Sequence, residues 1–302
     1  MTVLILGGRQ DPQALRVLDE IAARGGGCVH FDATAFPESG TLSLDGGTLR
    51  INGRKAPIPR SVYVRGLACH PLAPCFAEDL DTRPRGLIAQ CDEKRALVES
   101  VLLSLEERGV RVVNTLAANE QHSRKPYQLA LLQSAGLPVP RWLATNDPKA
   151  VRAFVKSAGR AVYKPLSGGA SVRELLPEDL SDDRLEALAT APVLFQKLIT
   201  GVSVRAYVVG RKVAGAAEIH SPELDYRRAE ERVEPTVLSY GERRAVIAAA
   251  RACAMPFSGV DLIRARGGFR ILECNPSPMF AVFEQKTGLN IARPLAQLLL
   301  RP

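Results

Sequence analysis

Three oxygen-bearing side chains near the C-terminus form the sharpest chemical pattern in the sequence. The stretch Phe257-Ser-Gly-Val-Asp-Leu-Ile-Arg-Ala-Arg-Gly-Gly-Phe-Arg-Ile-Leu-Glu-Cys-Asn-Pro-Ser-Pro278 reads as two strands joined at Arg266-Gly267-Gly268. That is a three-residue hairpin loop with glycine available for a positive φ. In this register Ala265 faces Phe269 and Asp261 stands directly opposite Glu273. Opposed carboxylates repel, so the arrangement asks for a cation. Side chains alternate along a strand, which puts Asn275 on the face of Glu273 and Cys274 on the other. Hard oxygens of this kind suit Mg²⁺, which is held by one or two carboxylates while phosphates and water complete its shell. A hairpin face carrying solvated acids is the competing reading.

Two lysines supply the opposite charge. Lys125 opens a helical pattern. Lys164 ends the apolar strand Ala161-Val-Tyr-Lys and precedes Pro165-Leu-Ser-Gly168-Gly169-Ala170. A Gly-Gly loop lets backbone N–H groups approach phosphate oxygens, and a lysine on the preceding strand adds a point charge. Neither Gly-x-x-x-x-Gly-Lys-Ser/Thr nor Gly-x-Gly-x-x-Gly occurs, so the common nucleotide fingerprints do not support this pair. One solvated lysine and an edge-strand turn remain the alternative.

The elements that must position these groups follow from periodicity. Val3 to Leu6, a helix from Pro12 to Ala23 ending at Gly25-Gly26-Gly27, and Cys28 to Phe31 make a βαβ opening. A Gly- and Pro-rich hairpin region over 41–60, a strand Val62 to Arg65, a long helix Leu87 to Arg108 capped at Gly109 and a strand Val110 to Asn114 complete an α/β lobe. Beyond it come helices at Pro126 to Ala135, at 148–158 behind an Asp147 cap, and at about 181–190, 242–254 and 290–300. Strands are expected at Trp142 to Ala144, Ala161 to Lys164, Val193 to Lys197, Val204 to Val209, Lys212 to Ile219, Gly259 to Arg264 and Phe269 to Asn275. Ser221 to Leu238, charged and without apolar periodicity, reads as one flexible segment.

Bulk properties narrow the function. The 302 residues are 46% hydrophobic and 24% charged, enough for two or three packed lobes. The apolar start Thr2-Val-Leu-Ile-Leu is too short for a signal peptide and no stretch reaches the length of a membrane span, so a soluble, cytoplasmic protein without a membrane partner is expected. Six cysteines are too sparse for a disulfide scaffold and are read as reduced thiols. Cys69, His70, Cys75 and Cys91 fit no structural zinc spacing. The net charge of +8 is scattered rather than gathered into a basic run with aromatics, which argues against nucleic acid and leaves room for an anionic ligand. No histidine pairs with a Ser or Cys motif that suggests a nucleophilic triad.

The order Lys125, Lys164 with its glycine loop, Val193-Leu-Phe-Gln-Lys-Leu-Ile199, Ser203-Val-Arg-Ala-Tyr-Val-Val-Gly210, Gly259-Val-Asp261 and Leu272-Glu-Cys-Asn-Pro276 resembles the ATP-grasp superfamily over roughly residues 114–300. Within it the likeness is to the branch of ribosomal-protein glutamate ligases, and also to the graspetide ligases that crosslink peptides of the microviridin type. The resemblance implies an α/β protein, α+β in its catalytic part. A Rossmann-like pre-ATP-grasp domain over 1–115 would precede a two-lobed ATP-grasp domain, with a central lobe over 116–198 and a C-terminal lobe over 199–302. It implies ATP as cofactor with two Mg²⁺ ions. Lys125, Lys164, Gly168 and Gly169 would hold phosphates, and Gln196, Lys197, Leu198 and Ile199 the adenine edge. Arg205 would meet the γ-phosphate and the developing acyl phosphate, Arg227 the acyl phosphate or the substrate carboxylate, while Asp261, Glu273 and Asn275 would bind metal. Arg65 is a further candidate for the carboxylate pocket.

The implied activity is an ATP-dependent ligase that forms an acyl phosphate and joins it to an amine or hydroxyl, releasing ADP and phosphate, with a peptide or amino acid as the carboxylate partner. A small-molecule ligase similar to glutathione synthetase and a nucleotide-binding module without catalysis stay open, as does a homo-oligomer. Two departures stand out. Ser203 occupies a position that is usually acidic in the glutamate ligases. Asp225-Tyr-Arg-Arg-Ala229 replaces their Arg-Ser-Asn substrate loop and is closer to the peptide-crosslinking branch.

Overall fold

The computed structural model describes residues 2–67, 70–167, 171–221 and 232–301. The chain divides into two compact units. The first comprises 1–116, 279–281 and 290–302, and the second 117–278 and 282–289.

The first unit begins with β1 (Thr2–Leu6), α1 (Pro12–Ala22) and β2 (Gly27–Phe31). Asp11 caps α1 by accepting the Ala14 N–H at 2.7 Å, and Pro12 fits the first helical turn, where its missing N–H costs nothing. Then come β3 (Leu42–Asp45), β4 (Thr48–Ile51), β5 (Arg54–Lys55), β6 (Ser61–Val64), α2 (Ala77–Thr82), α3 (Pro84–Glu107) and β7 (Arg111–Val113). Strands β2-β1-β6-β7 form a parallel sheet, and β3-β4-β5 a small antiparallel one. Val62, Val64 and Leu4 pack with Val98, Leu102 and Leu105 of α3 in one apolar core. This is the α/β lobe that the opening periodicity predicts.

The second unit runs from α4 (Leu116–Glu120) through α5 (Lys125–Ser134), β8 (Trp142–Thr145), α6 (Pro148–Ala158), β9 (Ala161–Lys164), β10 (Arg173–Glu174), α7 (Asp182–Glu186) and β11 (Val193–Lys197). It continues with β12 (Gly201–Val209), β13 (Lys212–His220), β14 (Arg232–Pro235), α8 (Tyr240–Ala252), β15 (Phe257–Ala265), β16 (Gly268–Asn275) and α9 (Ala281–Thr287). Its strands make two antiparallel sheets, β10-β9-β11-β8 and β14-β13-β12-β15-β16. The smaller sheet packs Phe195 and Ala161 against Val151 and Phe154 of α6. The larger packs Val204, Ala206, Val260, Leu262, Ile271 and Cys274 against Val246, Ala249 and Ala250 of α8.

Three expectations need correction. The last helix, α10 (Ala292–Leu300), clusters with the first unit, although its sequence position suggested the C-terminal lobe: Ser61 donates to the Leu299 carbonyl and Arg111 to the Leu298 carbonyl. Within 221–238, Arg232–Pro235 is not flexible but an edge strand paired with β13. Its charged residues suit an edge that must resist further pairing. The turn joining β15 to β16 is also tighter than expected. Ala265 pairs with Gly268 rather than Phe269, with Gly267 at φ 87° and Gly268 at φ 128°.

Candidate active site

Because the turn is one residue shorter, a regular ladder would pair Asp261 with Leu272 and send Glu273 into the α8 core. A β-bulge prevents this. Leu262 pairs with Ile271, Leu272 is the extra residue, and Asp261 pairs with Glu273 after all. Bulges of this kind re-aim side chains beside functional sites. Ile271 and Cys274 keep to the core face, so Glu273 and Asn275 share the opposite face with Asp261. The carboxylate pair is as expected, but the extra residue sits in the strand rather than in the loop.

Arg205 pairs directly with Asp261 across β12 and β15. Its Nε and Nη2 donate to the two carboxylate oxygens, both at 2.7 Å, in the two-pronged geometry that a guanidinium favours. Lys125 Nζ donates to Glu273 Oε2 at 2.9 Å, and Lys164 Nζ lies 3.9 Å from the same oxygen. Three cations thus gather on two carboxylates. Burial would raise the Glu273 pKa, but Lys164, Lys125 and Arg205 outweigh it and bring it from 4.5 to about 2. The group is therefore a carboxylate at neutral pH.

Gln128 was not singled out in the sequence. One turn along α5 from Lys125 and 2% exposed, it accepts the Cys274 N–H through Oε1 at 2.8 Å and donates to the Cys274 carbonyl through Nε2 at 2.7 Å. The amide satisfies the open edge of β16 and fastens α5 beside Glu273. The signal for it was a polar residue on a helix face that also carries Leu129 and Leu132, both buried.

On the smaller sheet, Gln196 of β11 is 4% exposed and its side-chain amide makes no hydrogen bond among the described residues. An unsatisfied buried amide costs about 1–3 kcal/mol, which a bound acceptor would offset. The N–H groups of Lys197 and Leu198 already donate to Arg141 O at 2.8 Å and Arg160 O at 2.9 Å, whereas the N–H of Ile199 makes no hydrogen bond among the described residues. Of the four residues expected at an adenine edge, Gln196 and Ile199 thus retain hydrogen-bonding capacity. Ser203 lies on the Arg205 face of β12. Gly168, Gly169 and Arg227 fall outside the described residues, as does the rest of the Asp225–Ala229 loop. Arg65 belongs to the first unit, where it holds Asp11 at 3.0 Å.

The donor set of Asp261, Glu273 and Asn275 has the chemistry that Mg²⁺ selects: hard oxygens, one carboxylate firmly ionised, on one strand-pair face. Asn275 Oδ1 accepts the Ser277 N–H at 3.0 Å, which fixes the amide with its oxygen toward the turn.

Comparison with known proteins identifies the family. The probable alpha-L-glutamate ligase 2 of Shewanella amazonensis (strain ATCC BAA-1098 / SB2B) is 29% identical over 210 residues, covering 66% of this chain and 70% of its own. The ATP-grasp ligase PsnB, solved in complex with a phosphomimetic variant of minimal precursor, Mg and ADP, superposes with a TM-score of 0.90 at 38% identity. That match covers 99% of this chain and 97% of PsnB. The macrocyclase MdnC of Microcystis aeruginosa MRC, bound with precursor peptide MdnA, shares the fold at a TM-score of 0.83 and 22% identity over the full length of both chains. The RimK-like ATP-grasp domain matches residues 122–299, more than half of the chain and all of the paired carboxylates and lysines described above. This chain belongs to the RimK-like ATP-grasp family.

Proposed function

We infer that this protein uses ATP to activate a carboxylate of a peptide as an acyl phosphate and then joins it to an amine or hydroxyl, releasing ADP and phosphate. One observation carries the reading: Lys125 and Lys164 converge on Glu273, 2.9 and 3.9 Å from one oxygen, on the face that Asp261 and Arg205 share. The peptide as substrate is favoured by the likeness to PsnB, which was solved with its minimal precursor and Mg–ADP over nearly the same length of chain.

The chemistry explains the charges. A carboxylate that attacks a phosphate brings two anions together, and each unit-charge repulsion at about 4 Å amounts to roughly 4 kcal/mol at an effective dielectric of 20. Lys125 and Lys164 offset that repulsion on the phosphates, and Arg205 does so on the transferred group. Asp261, Glu273 and Asn275 would hold Mg²⁺, which shields the triphosphate when bound. The carbonyl carbon of the acyl phosphate then accepts the nucleophile's electron pair, phosphate departs with the electron pair of the broken C–O bond, and the nucleophile's proton passes to water or to the departing phosphate. Alignment and charge stabilisation suffice, and no side chain needs to form a covalent bond with substrate. Gln196 and Ile199, with unused hydrogen-bonding groups, are suited to the adenine edge. Arg227 is assigned to the acyl phosphate or the substrate carboxylate.

The test is substrate-dependent phosphate release, screened with peptides rich in Thr, Ser, Asp and Glu. Glu273→Gln keeps the side-chain volume and should lower turnover by on the order of 10² or more. Unchanged ADP production in that variant would remove the metal assignment, and with it the reading.

A further inference from the structure

A cavity of about 570 Å³ opens where the C-terminal end of α5, the 137–142 connector and the hairpin end of β16 meet. None of Lys125, Lys164, Gln196, Arg205, Asp261, Glu273 and Asn275 lines it, so it is distinct from the candidate active site. Its walls include Gln133, Pro138, Pro140 and Trp142, and two arginines face it, Arg141 and Arg270.

The two arginines share one wall of the groove. Neither forms an ion pair among the described residues, whereas Arg65, Arg160, Arg205 and Arg264 each hold a carboxylate at 3.0 Å or less. The Arg141 guanidinium lies over the Phe154 ring, 5.7 Å from its centre, and Arg270 Nη1 donates to its neighbour's carbonyl, that of Phe269, at 2.8 Å. Both contacts orient the guanidinium and leave its charge uncompensated. Trp142 Nε1 donates to Gln133 Oε1 at 3.1 Å, which holds the indole in the wall. The Pro138 carbonyl accepts the Ile271 N–H at 2.8 Å, so the connector is tied to β16 and the groove is preformed. Trp142 and Arg270 also lie on strands at the edges of their sheets, β8 and β16.

We propose that this groove docks an acidic, extended segment of the peptide substrate at a distance from the reacting carboxylate. Guanidinium groups take carboxylates through two parallel hydrogen bonds, while the indole and proline walls cover the aliphatic stems of Glu side chains. A lone aromatic between only two cations lacks the stacked platform and basic track that single-stranded nucleic acid uses. Binding energy gained here would align the substrate without touching the reacting atoms. The choice of occupant rests on the peptide-ligase reading. The binding itself needs no nucleotide, so the two can be tested apart.

Trp142 is the only tryptophan in the chain, so intrinsic emission reports directly on the groove. The full chain, without nucleotide, is titrated with a short synthetic peptide alternating Glu and Ser, with the same peptide carrying Gln for Glu, and with an oligothymidylate. The expected result is a saturable emission change with the Glu peptide, weakened about tenfold in Arg141→Gln and in Arg270→Gln. Thermal melts should be unchanged in both variants. In the turnover assay the same variants should raise KM for an acidic peptide and leave kcat in place. No saturable change, an equal response to the Gln peptide, or a preference for the oligonucleotide overturns the proposal. Emission changes as expected without any substrate-dependent phosphate release would uphold the groove and sink the ligase reading. Turnover with KM indifferent to both substitutions would do the reverse.

Discussion

Arg205 and Arg264 belong to neighbouring strands of one sheet but face opposite ways, and they use their charge differently. Arg264, on the α8 side, donates all five of its N–H groups, to Glu242 twice and once each to Glu218, Thr236 and the Val237 carbonyl. Glu242 in turn accepts the Ser239 N–H that opens α8. Every partner is internal, so the cluster closes on itself. Opposite lie Arg205, Lys125 and Lys164, which among the described residues converge on the carboxylates Asp261 and Glu273. A saturated network can only stabilise. Cations gathered on one face can also draw in an anion.

The sharpest way to break this contrast is to remove one charged group from each face. Glu273→Gln, argued above, should cost turnover on the order of 10² or more while the fold persists. Arg264→Met keeps the apolar stem but strands Glu242, whose side chain is only 7% exposed. It should lower unfolding free energy by about 2 kcal/mol in urea, with kcat within about twofold of the parent. If Arg264→Met instead abolished turnover at unchanged stability, the α8 face would be part of the site and the division of labour would fail.

Acid distinguishes the two faces more finely. The Glu273 carboxyl sits at about 2 rather than 4.5, with burial opposing the shift and Lys164, Lys125 and Arg205 driving it. Glu242 is also held below the usual carboxylate range, again against burial, by hydrogen bonds from Arg264 and Ser239. Both pKa values are depressed on folding, so the stability each group contributes is present above the unfolded pKa and disappears as pH falls through the folded one. For Glu273 that window runs from 4.5 down to about 2. Denaturant midpoints measured across it should fall less steeply in Glu273→Gln than in the parent, by up to one proton's worth of slope. Parallel curves would mean that Glu273 is not held by its cations.

How much of this the sequence revealed depends on the range of the interaction. Alternation fixed which of Cys274, Glu273 and Asn275 share a face, because that parity is local. The route to it was misread. Two glycines at 267 and 268 are compatible with either a three-residue loop or a two-residue turn, and a bulge at Leu272 has no compositional mark. Lys125 and Lys164 could be named from motif order, but their meeting at one Glu273 oxygen depends on packing over more than a hundred residues of sequence separation. Gln128 and Arg264 were passed over for the same reason: each is an ordinary polar residue until its distant partners are known. β14 lay hidden in a charged segment because an edge strand with one buried residue, Val233, lacks an apolar period.

The start of α8 is the exception, since its signal was local and still missed. The helix was expected from 242, yet it begins at Tyr240 behind Ser239. Ser239 Oγ accepts the Glu242 N–H at 3.2 Å, and Glu242 Oε2 accepts the Ser239 N–H at 2.8 Å, a capping box written in the sequence as Ser-x-x-Glu. Glu242 thus holds the helix end and Arg264 together. Ser239→Ala removes the hydroxyl acceptor alone, leaving the Ser239 backbone N–H and the Arg264 cluster with their partners. It should cost about 1 kcal/mol, the smallest of these effects, read as a shift in urea midpoint at constant slope, with turnover untouched. Loss well beyond that would mean that the hydroxyl also positions Glu242 for Arg264, and a double-mutant cycle with Arg264→Met would then show coupling between cap and cluster where independent sites would add.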